Sequence, residues 1–222
     1  MKVIVLTFIV LLGVVQSDLM NKVVLNPKGD ALCLDGTPGA YYISEGSGAN
    51  RNKFILFFEG GGWCGGTTLA NTLESCYRRS SDPLGSSSTY PQTVDVTHSG
   101  ILSGDQTVNP GFYDWTKVYL KYCDGSGHQG TRSEPLSYKD KLLYFRGQNI
   151  TIGQLNAINA THKLWTEATD ILVSGCSAGG LAAFTWTNYI EKNSKAKVFS
   201  APDSGIFLDA ANIHTTTHVY RT

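Results

Sequence analysis

Four short apolar runs stand out along the chain: residues 54–58 (Phe54-Ile55-Leu56-Phe57-Phe58), 117–122 around Val118-Tyr119-Leu120, 170–174 around Ile171-Leu172-Val173, and 197–200 around Val198-Phe199. Each has the length of a strand and is apolar enough to be buried on both faces of a sheet. Between the second and third, Ile152, Leu155 and Ile158 recur at helical spacing. This predicts a helix over about 151–164 with Thr151 as its N-cap. A second helix is predicted over 178–192, where Leu181, Phe184 and Trp186 are available for packing. Short buried strands alternating with helices predict an α/β fold with a mostly parallel sheet and helices on both faces. Residues 66–116 are polar and rich in Ser, Thr and Gly. They read as long loops over one sheet edge, not as a separate domain.

The N-terminus changes the compartment. Met1-Lys2 precedes an apolar run from Val3 to Val15, and Val15-Gln16-Ser17 places small residues before Asp18. This is the pattern of a secretory signal peptide over residues 1–17, too short to span a bilayer. Residues 18–222 are then expected to be secreted or lumenal, as a portion of one domain. No second run approaches transmembrane length, so no stable membrane insertion is expected. Secretion makes the five cysteines disulfide candidates. Cys64 and Cys76, close in a loop-rich stretch, are the favoured pair, and Cys33–Cys123 is the next. Spacing alone does not choose among the possible connectivities, and the odd count leaves Cys176 as a free, buried thiol or one paired elsewhere. Asn149-Ile150-Thr151 and Asn159-Ala160-Thr161 are glycosylation sequons.

Composition narrows the class. With 41% hydrophobic and 16% charged residues the chain is globular, and 18 basic residues balance 18 acidic ones. That leaves no basic footprint for a phosphate backbone, so nucleic acid is excluded as a partner. No CxxC or HxxxH spacing suggests a metal site.

Candidate chemistry centres on Gly175-Cys176-Ser177-Ala178-Gly179, set between the third predicted strand and the following helix. This is the G-x-S-x-G nucleophile elbow in its expected context. An abrupt strand-to-helix turn projects the serine Oγ from the sheet, and only small residues two positions to either side avoid the neighbouring elements. The helix N-terminus then directs N–H groups at the group the serine attacks. Residues 54–58 run into Glu59-Gly60-Gly61-Gly62-Trp63-Cys64, similar to the glycine loops that line lipase and esterase oxyanion holes. Trp63 flanks those glycines and is the one tryptophan assigned to the substrate pocket. Gly60-x-Gly62-x-x-Gly65 and Gly125-x-Gly127-x-x-Gly130 also match the dinucleotide pattern, but neither has its flanking helix and second-strand acid. No cofactor is implied.

Five blocks in order, Phe57-Phe58-Glu59-Gly60-Gly61-Gly62-Trp63-Cys64, Tyr122-Cys123-Asp124-Gly125-Ser126, Tyr144-Phe145-Arg146-Gly147, Gly175-Cys176-Ser177-Ala178-Gly179-Gly180 and Asp203-Ser204-Gly205-Ile206-Phe207-Leu208-Asp209, resemble the pectin acetylesterase/Notum family. The resemblance covers about residues 22–222. It implies an α/β-hydrolase-like fold and a secreted carboxylesterase acting on an acetylated polysaccharide or other O-acylated substrate, expected to be a monomer. It makes Ser177 the nucleophile, gives the oxyanion hole to the N–H groups of Gly61, Gly62 and Ala178, and places Asp203 at the pocket. The alternatives are a Notum-like O-deacylase of a lipidated protein and a non-catalytic member.

The last alternative has a specific motive. The fold orders its triad Ser…Asp/Glu…His, and the segment after Ser177 leaves little chain for the strands that present acid and base. Asp203, Asp209, His214 and His218 are the acid and base candidates there, with solvated tail histidines the better reading. The chain is therefore expected to be the N-terminal portion of a longer esterase, inactive by itself. His128 reads as a loop histidine, and His98 and His162 carry no signal. Acetyl esters are expected to be preferred over long acyl chains, because the 66–116 loops offer a polar roof.

Overall fold

The computed structural model describes residues 18–207. The expected leader, residues 1–17, and the candidates Asp209, His214 and His218 lie outside the described residues.

In chain order the elements are β1 (Leu19–Val24), β2 (Ala40–Ser44), β3 (Lys53–Phe58), α1 (Leu69–Arg79), β4 (Thr93–Asp95), β5 (Thr116–Leu120), β6 (Leu136–Tyr138), β7 (Lys141–Leu143), α2 (Gly147–His162), β8 (Asp170–Cys176), α3 (Ala178–Asn193) and β9 (Lys197–Asp203). Seven strands form one sheet in the order β4-β1-β2-β5-β3-β8-β9, and β6 and β7 make a separate hairpin. The four runs picked out by hydrophobicity are β5, β3, β8 and β9, which pair in parallel. β4, β1 and β2 extend this core as an antiparallel edge. The result is a mixed α/β sheet with its parallel half at the site.

Period-two alternation sends side chains to two cores. Phe54, Leu56 and Phe58 of β3 join Val118, Leu120, Ile171 and Val173 on one face, covered by Leu155 and Ile158 of α2 and Ala182, Trp186 and Ile190 of α3. Ile55 and Leu172 point the other way, to a cluster with Met20, Tyr42, Tyr90, Val96 and Leu102. Among the described residues α2 and α3 thus share one face. Chain from the 90–115 stretch covers the opposite face, which is why the central strands are apolar throughout.

Three local expectations change. Residues 66–116 contain α1, which fully buries only Cys76 and packs Leu73 and Tyr77, partly buried, against Leu34 and Leu143. That stripe has helical spacing but is short and set in a polar, Ser- and Thr-rich stretch. Thr68 caps it, accepting from the Asn71 N–H at 3.2 Å, and the Cys64–Cys76 disulfide ties it down. α2 begins at Gly147, four residues ahead of the expected cap, so Thr151 lies inside the helix and is fully buried. A Cβ at Gly147 would lie 2.7 Å from the Gln129 nitrogen and against the Asp124 carboxylate. Tertiary packing therefore sets that helix start. β1 was not marked because only Met20 in it is fully buried. Both favoured disulfides are present, Cys33–Cys123 and Cys64–Cys76, each with Cα atoms 4.9 Å apart.

Candidate active site

Parallel pairing sets Phe58 opposite Gly175 and Cys176 opposite Asp203, so β3, β8 and β9 end at one edge of the sheet. There β8 turns into α3 through a single residue, Ser177, at φ 57° and ψ −119°. A residue with a side chain rarely adopts that conformation, which persists only where the surroundings over-determine it. The surroundings here are backbone. The Ser177 N–H donates to the Asp203 carbonyl at 3.0 Å, and the Ser177 carbonyl accepts from the Leu181 N–H at 3.0 Å. Gly175 and Gly179 both face the Phe58 carbonyl oxygen so closely that a Cβ on either would collide with it. The two glycines of the motif are a packing requirement of β3 against the β8–α3 turn.

The segment after β3 runs beside this turn. A Cβ on Gly60 would strike the Cys176 carbonyl and lie 3.4 Å from Cβ of Ser177. Gly62 has φ 62°, left-handed backbone with open space around it. Three side chains from distant segments hold three carbonyls of this loop. His128 Nε2 donates to the Glu59 carbonyl at 2.9 Å, Arg79 Nη2 to the Gly61 carbonyl at 3.0 Å, and the Tyr122 hydroxyl to the Gly62 carbonyl at 2.8 Å. A peptide group is planar and trans, so fixing the Gly61 oxygen also fixes the N–H of Gly62, which points the opposite way. The N–H groups of Gly61, Gly62 and Ala178 donate to no acceptor among the described residues.

These holding residues are well built. Tyr122 is fully buried, and burial raises its phenol pKa, so it stays a donor to Gly62 while accepting from the Gly127 N–H at 2.8 Å. Arg79 lies 5.0 Å over the Tyr122 ring and also donates to the Leu84 carbonyl. His128, expected as a loop histidine, is 1% exposed, stacked on Tyr122 and edge-on to Phe58. Burial pushes its pKa down, with Asp124 and Glu59 opposing. It is neutral near pH 7, and because a carbonyl only accepts, its proton is on Nε2. Glu59 bridges the strand ends: its carboxylate accepts from the Tyr119 hydroxyl (3.0 Å), the Tyr122 N–H (2.8 Å) and the Lys121 ammonium.

A cavity of about 490 Å³ opens next to the glycine loop, lined by Trp63, Thr72, Ser126, Gln129, Phe145 and Leu181 among others. Trp63 lines this cavity, partly exposed and edge-on to Phe207 at 5.2 Å. Ser177 and Asp203 are not among the cavity's lining residues. Asp203 meets the elbow through its backbone carbonyl, while its carboxylate accepts from the Ser204 hydroxyl at 2.9 Å. Cys176 is free but exposed rather than buried, and desolvation ahead of Asp203 raises its pKa. Among the described residues no histidine hydrogen-bonds Ser177, and no His/Cys/Asp/Glu group could hold a metal ion. The sequence carries no signal for Arg79, and His128, expected as a loop histidine, is instead buried behind the glycine loop. The signal for His128 was its place just past β5, which ends at the same sheet edge as β3.

A mixed sheet in whose parallel half a strand–serine–helix turn and a glycine-rich strand end share one edge is α/β-hydrolase-like. The chain belongs to the pectinacetylesterase family, whose model matches residues 15–222. It is 36% identical over 185 residues to Pectin acetylesterase 5 of Arabidopsis thaliana, covering 82% of this chain and 41% of the relative. It is 30% identical over 196 residues to the palmitoleoyl-protein carboxylesterase NOTUM of Schmidtea mediterranea, covering 85% and 35%. The fold is similar to the crystal structure of the Wnt deacylase Notum from Drosophila, with TM-score 0.72 and 26% identity, over 86% of this chain and 54% of that one. The chain spans less than half the length of these curated relatives.

Proposed function

We propose that the chain carries the nucleophile and oxyanion donors of a secreted serine carboxylesterase that removes O-acetyl groups from a polysaccharide. The observation that carries this reading is Ser177 held at φ 57° beside a glycine loop whose carbonyls are tied back, leaving N–H groups of Gly61, Gly62 and Ala178 without internal acceptors. In this mechanism Ser177 Oγ attacks the acetyl carbonyl carbon, and the developing oxyanion accepts from those N–H groups. Each such donor is worth roughly 2.7–4 kcal/mol at the transition state. The sugar oxygen leaves with a proton, and water then hydrolyses the acetyl-serine. The base that takes the Ser177 proton is not among the described residues. Trp63, Thr72, Ser126 and Gln129 give the cavity a mixed lining suited to a hydroxylated ring and a short acyl group. Membership of the pectinacetylesterase family supports the substrate class. Two disulfides and the apolar run at Val3–Val15 support the secretory compartment.

The test is release of p-nitrophenol from acetyl and octanoyl esters by the purified chain and its Ser177→Ala variant. Without a histidine on Ser177 the expected turnover is slow, about 10³–10⁴ over water, faster for acetyl, and largely retained in S177A, because it comes from the oxyanion donors and binding. A rate for the chain no higher than that of the urea-unfolded chain would overturn the assignment. A higher kcat/KM for octanoyl would move the reading to a lipid-ester deacylase. Ordinary enzymatic rates abolished by His214→Ala would place the base in the chain's last residues and refute the expectation of a weak catalyst.

A further inference from the structure

Two sequons lie on α2, and the folded structure treats them differently. At the second, both partners have structural work: Asn159 Oδ1 accepts from the Trp165 N–H at 3.0 Å beyond the helix end, and Thr161 donates to the Ala157 carbonyl at 3.0 Å. At the first, neither does. Asn149 is exposed in the first turn of α2, beside an open surface cavity of about 530 Å³ bounded by Val24, Ala31, Ile152 and Ala157, so a bulky substituent has room. Thr151 is 0% exposed, yet its hydroxyl has no hydrogen-bond partner.

That orphan hydroxyl is unusual in its own context. A helical threonine satisfies its hydroxyl by donating one turn back, as Thr161, Thr185 and Thr187 do to the carbonyls of Ala157, Leu181 and Ala183. Thr151 does not, and a buried hydroxyl without a partner destabilises the fold relative to the isosteric methyl of valine. The folded protein therefore has no use for an oxygen at position 151. A use exists earlier, while the segment is still extended: the third residue of an Asn-x-Thr acceptor presents its hydroxyl to the transferase.

We propose that Asn149, rather than Asn159, is the N-glycosylation site of this chain, and that the Thr151 hydroxyl serves that modification. In the transfer, Asn149 Nδ2 forms a bond to C1 of an N-acetylglucosamine-terminated oligosaccharide. The C1–O bond to its polyprenyl diphosphate carrier breaks, the diphosphate leaves with the electron pair, and the amide gives up one proton. No electron is exchanged with any third party. The proposal rests on the secretory reading for its compartment but not on the esterase reading.

The experiment expresses the chain in a eukaryotic secretory host, once with its own residues 1–17 and once with a proven leader before Asp18, and maps glycopeptides by mass spectrometry. The expected result is one glycan, at Asn149, in both forms. It is lost in Asn149→Gln and Thr151→Val, retained in Thr151→Ser and unchanged in Asn159→Gln. A glycan only with the proven leader would refute the native leader while supporting the site. An unmodified Asn149 behind the proven leader, or a glycan at Asn159 in its place, would overturn the proposal. In unglycosylated protein, Thr151→Val should raise the Tm by about 2–4 °C. A lower Tm would mean that the hydroxyl has a structural role and would remove the argument from Thr151.

Discussion

The two strand ends that form the site are held by opposite means. The β8–α3 turn is fixed by backbone against backbone: Gly175 and Gly179 lie on the Phe58 carbonyl, and Ser177 N–H donates to Asp203. The loop after β3 has no such packing at Gly62. It is fixed by side chains reaching in from α1, the end of β5 and the loop beyond it, through Arg79, Tyr122 and His128. The first arrangement tolerates no added atom. The second is as tight at Gly60, where a Cβ would strike the Cys176 carbonyl, but is open at Gly62, where orientation is lost by degrees. On the proposed reading a nucleophile needs one fixed position, whereas oxyanion donors need a direction, and the two strand ends differ in that sense.

Breaking the first arrangement should have the largest effect. Gly179→Ala forces a Cβ into the Phe58 carbonyl and is expected to cost about 3 kcal/mol or more, enough to lose soluble protein. Gly62→Ala meets open space and faces only the left-handed backbone, about 1–2 kcal/mol. Urea unfolding midpoints of the two variants measure the contrast. Comparable losses would mean that the turn and the loop are not constrained differently.

Next is the staple behind the glycine loop. Cys64 follows Trp63 directly and is tied to α1 by a disulfide closing a short segment, separation 12. Replacing both cysteines by alanine should lower stability by roughly 2–3 kcal/mol. It should also loosen Arg79, since Leu73 and Tyr77 are then the main apolar side chains docking α1. Hydrogen exchange of the Cys64 amide, bonded to the Gly125 carbonyl at 3.0 Å, should accelerate. Unchanged exchange would show that the loop is held without the bridge.

Tyr122→Phe removes one donor and one acceptor, leaving the Gly62 carbonyl and the Gly127 N–H unpaired, a loss of about 1–3 kcal/mol. Arg79→Gln should cost less stability, because the guanidinium contact with Gly61 is solvent-accessible, yet it acts directly on the direction of the Gly62 N–H. Where ester release above that of the unfolded chain is measurable, Arg79→Gln should lower kcat more than it raises KM. The reverse split would assign Arg79 to substrate binding.

This division also explains what could be read from the chain. The elbow was legible because its constraints are local: strand, five-residue motif and helix are contiguous, and the steric argument needs nothing else. The parallel strands were legible because burial on both faces leaves an unbroken apolar run. The clamp was not, because Arg79, Tyr122 and His128 are joined to Glu59, Gly61 and Gly62 only by the fold. α1 escaped because its stripe, Leu73, Cys76 and Tyr77, is short and set among polar residues, with the disulfide adding to its anchoring. β1 escaped because a strand near one edge needs only one buried residue, Met20, to dock.

The smallest effect concerns His128, and its sign follows from burial. Desolvation holds the folded-state pKa below the unfolded value near 6.5, so below about pH 6.5 the unfolded chain binds a proton that the native protein does not. The His128 contribution to stability is therefore complete above pH 6.5. It is lost progressively as pH falls toward the depressed native pKa, at no more than about 1.4 kcal/mol per pH unit. Carboxylates with lowered pKa, such as Glu74 at about 2, titrate in a more acidic window. His128→Gln keeps an N–H donor for the Glu59 carbonyl without a titrating proton. Urea unfolding between pH 7.5 and 5.5 should show a decline in stability for the native sequence and a flatter profile for H128Q. Identical slopes would mean that His128 is protonated in the fold, with Asp124 and Glu59 outweighing burial, and that the clamp on Glu59 is a charged one.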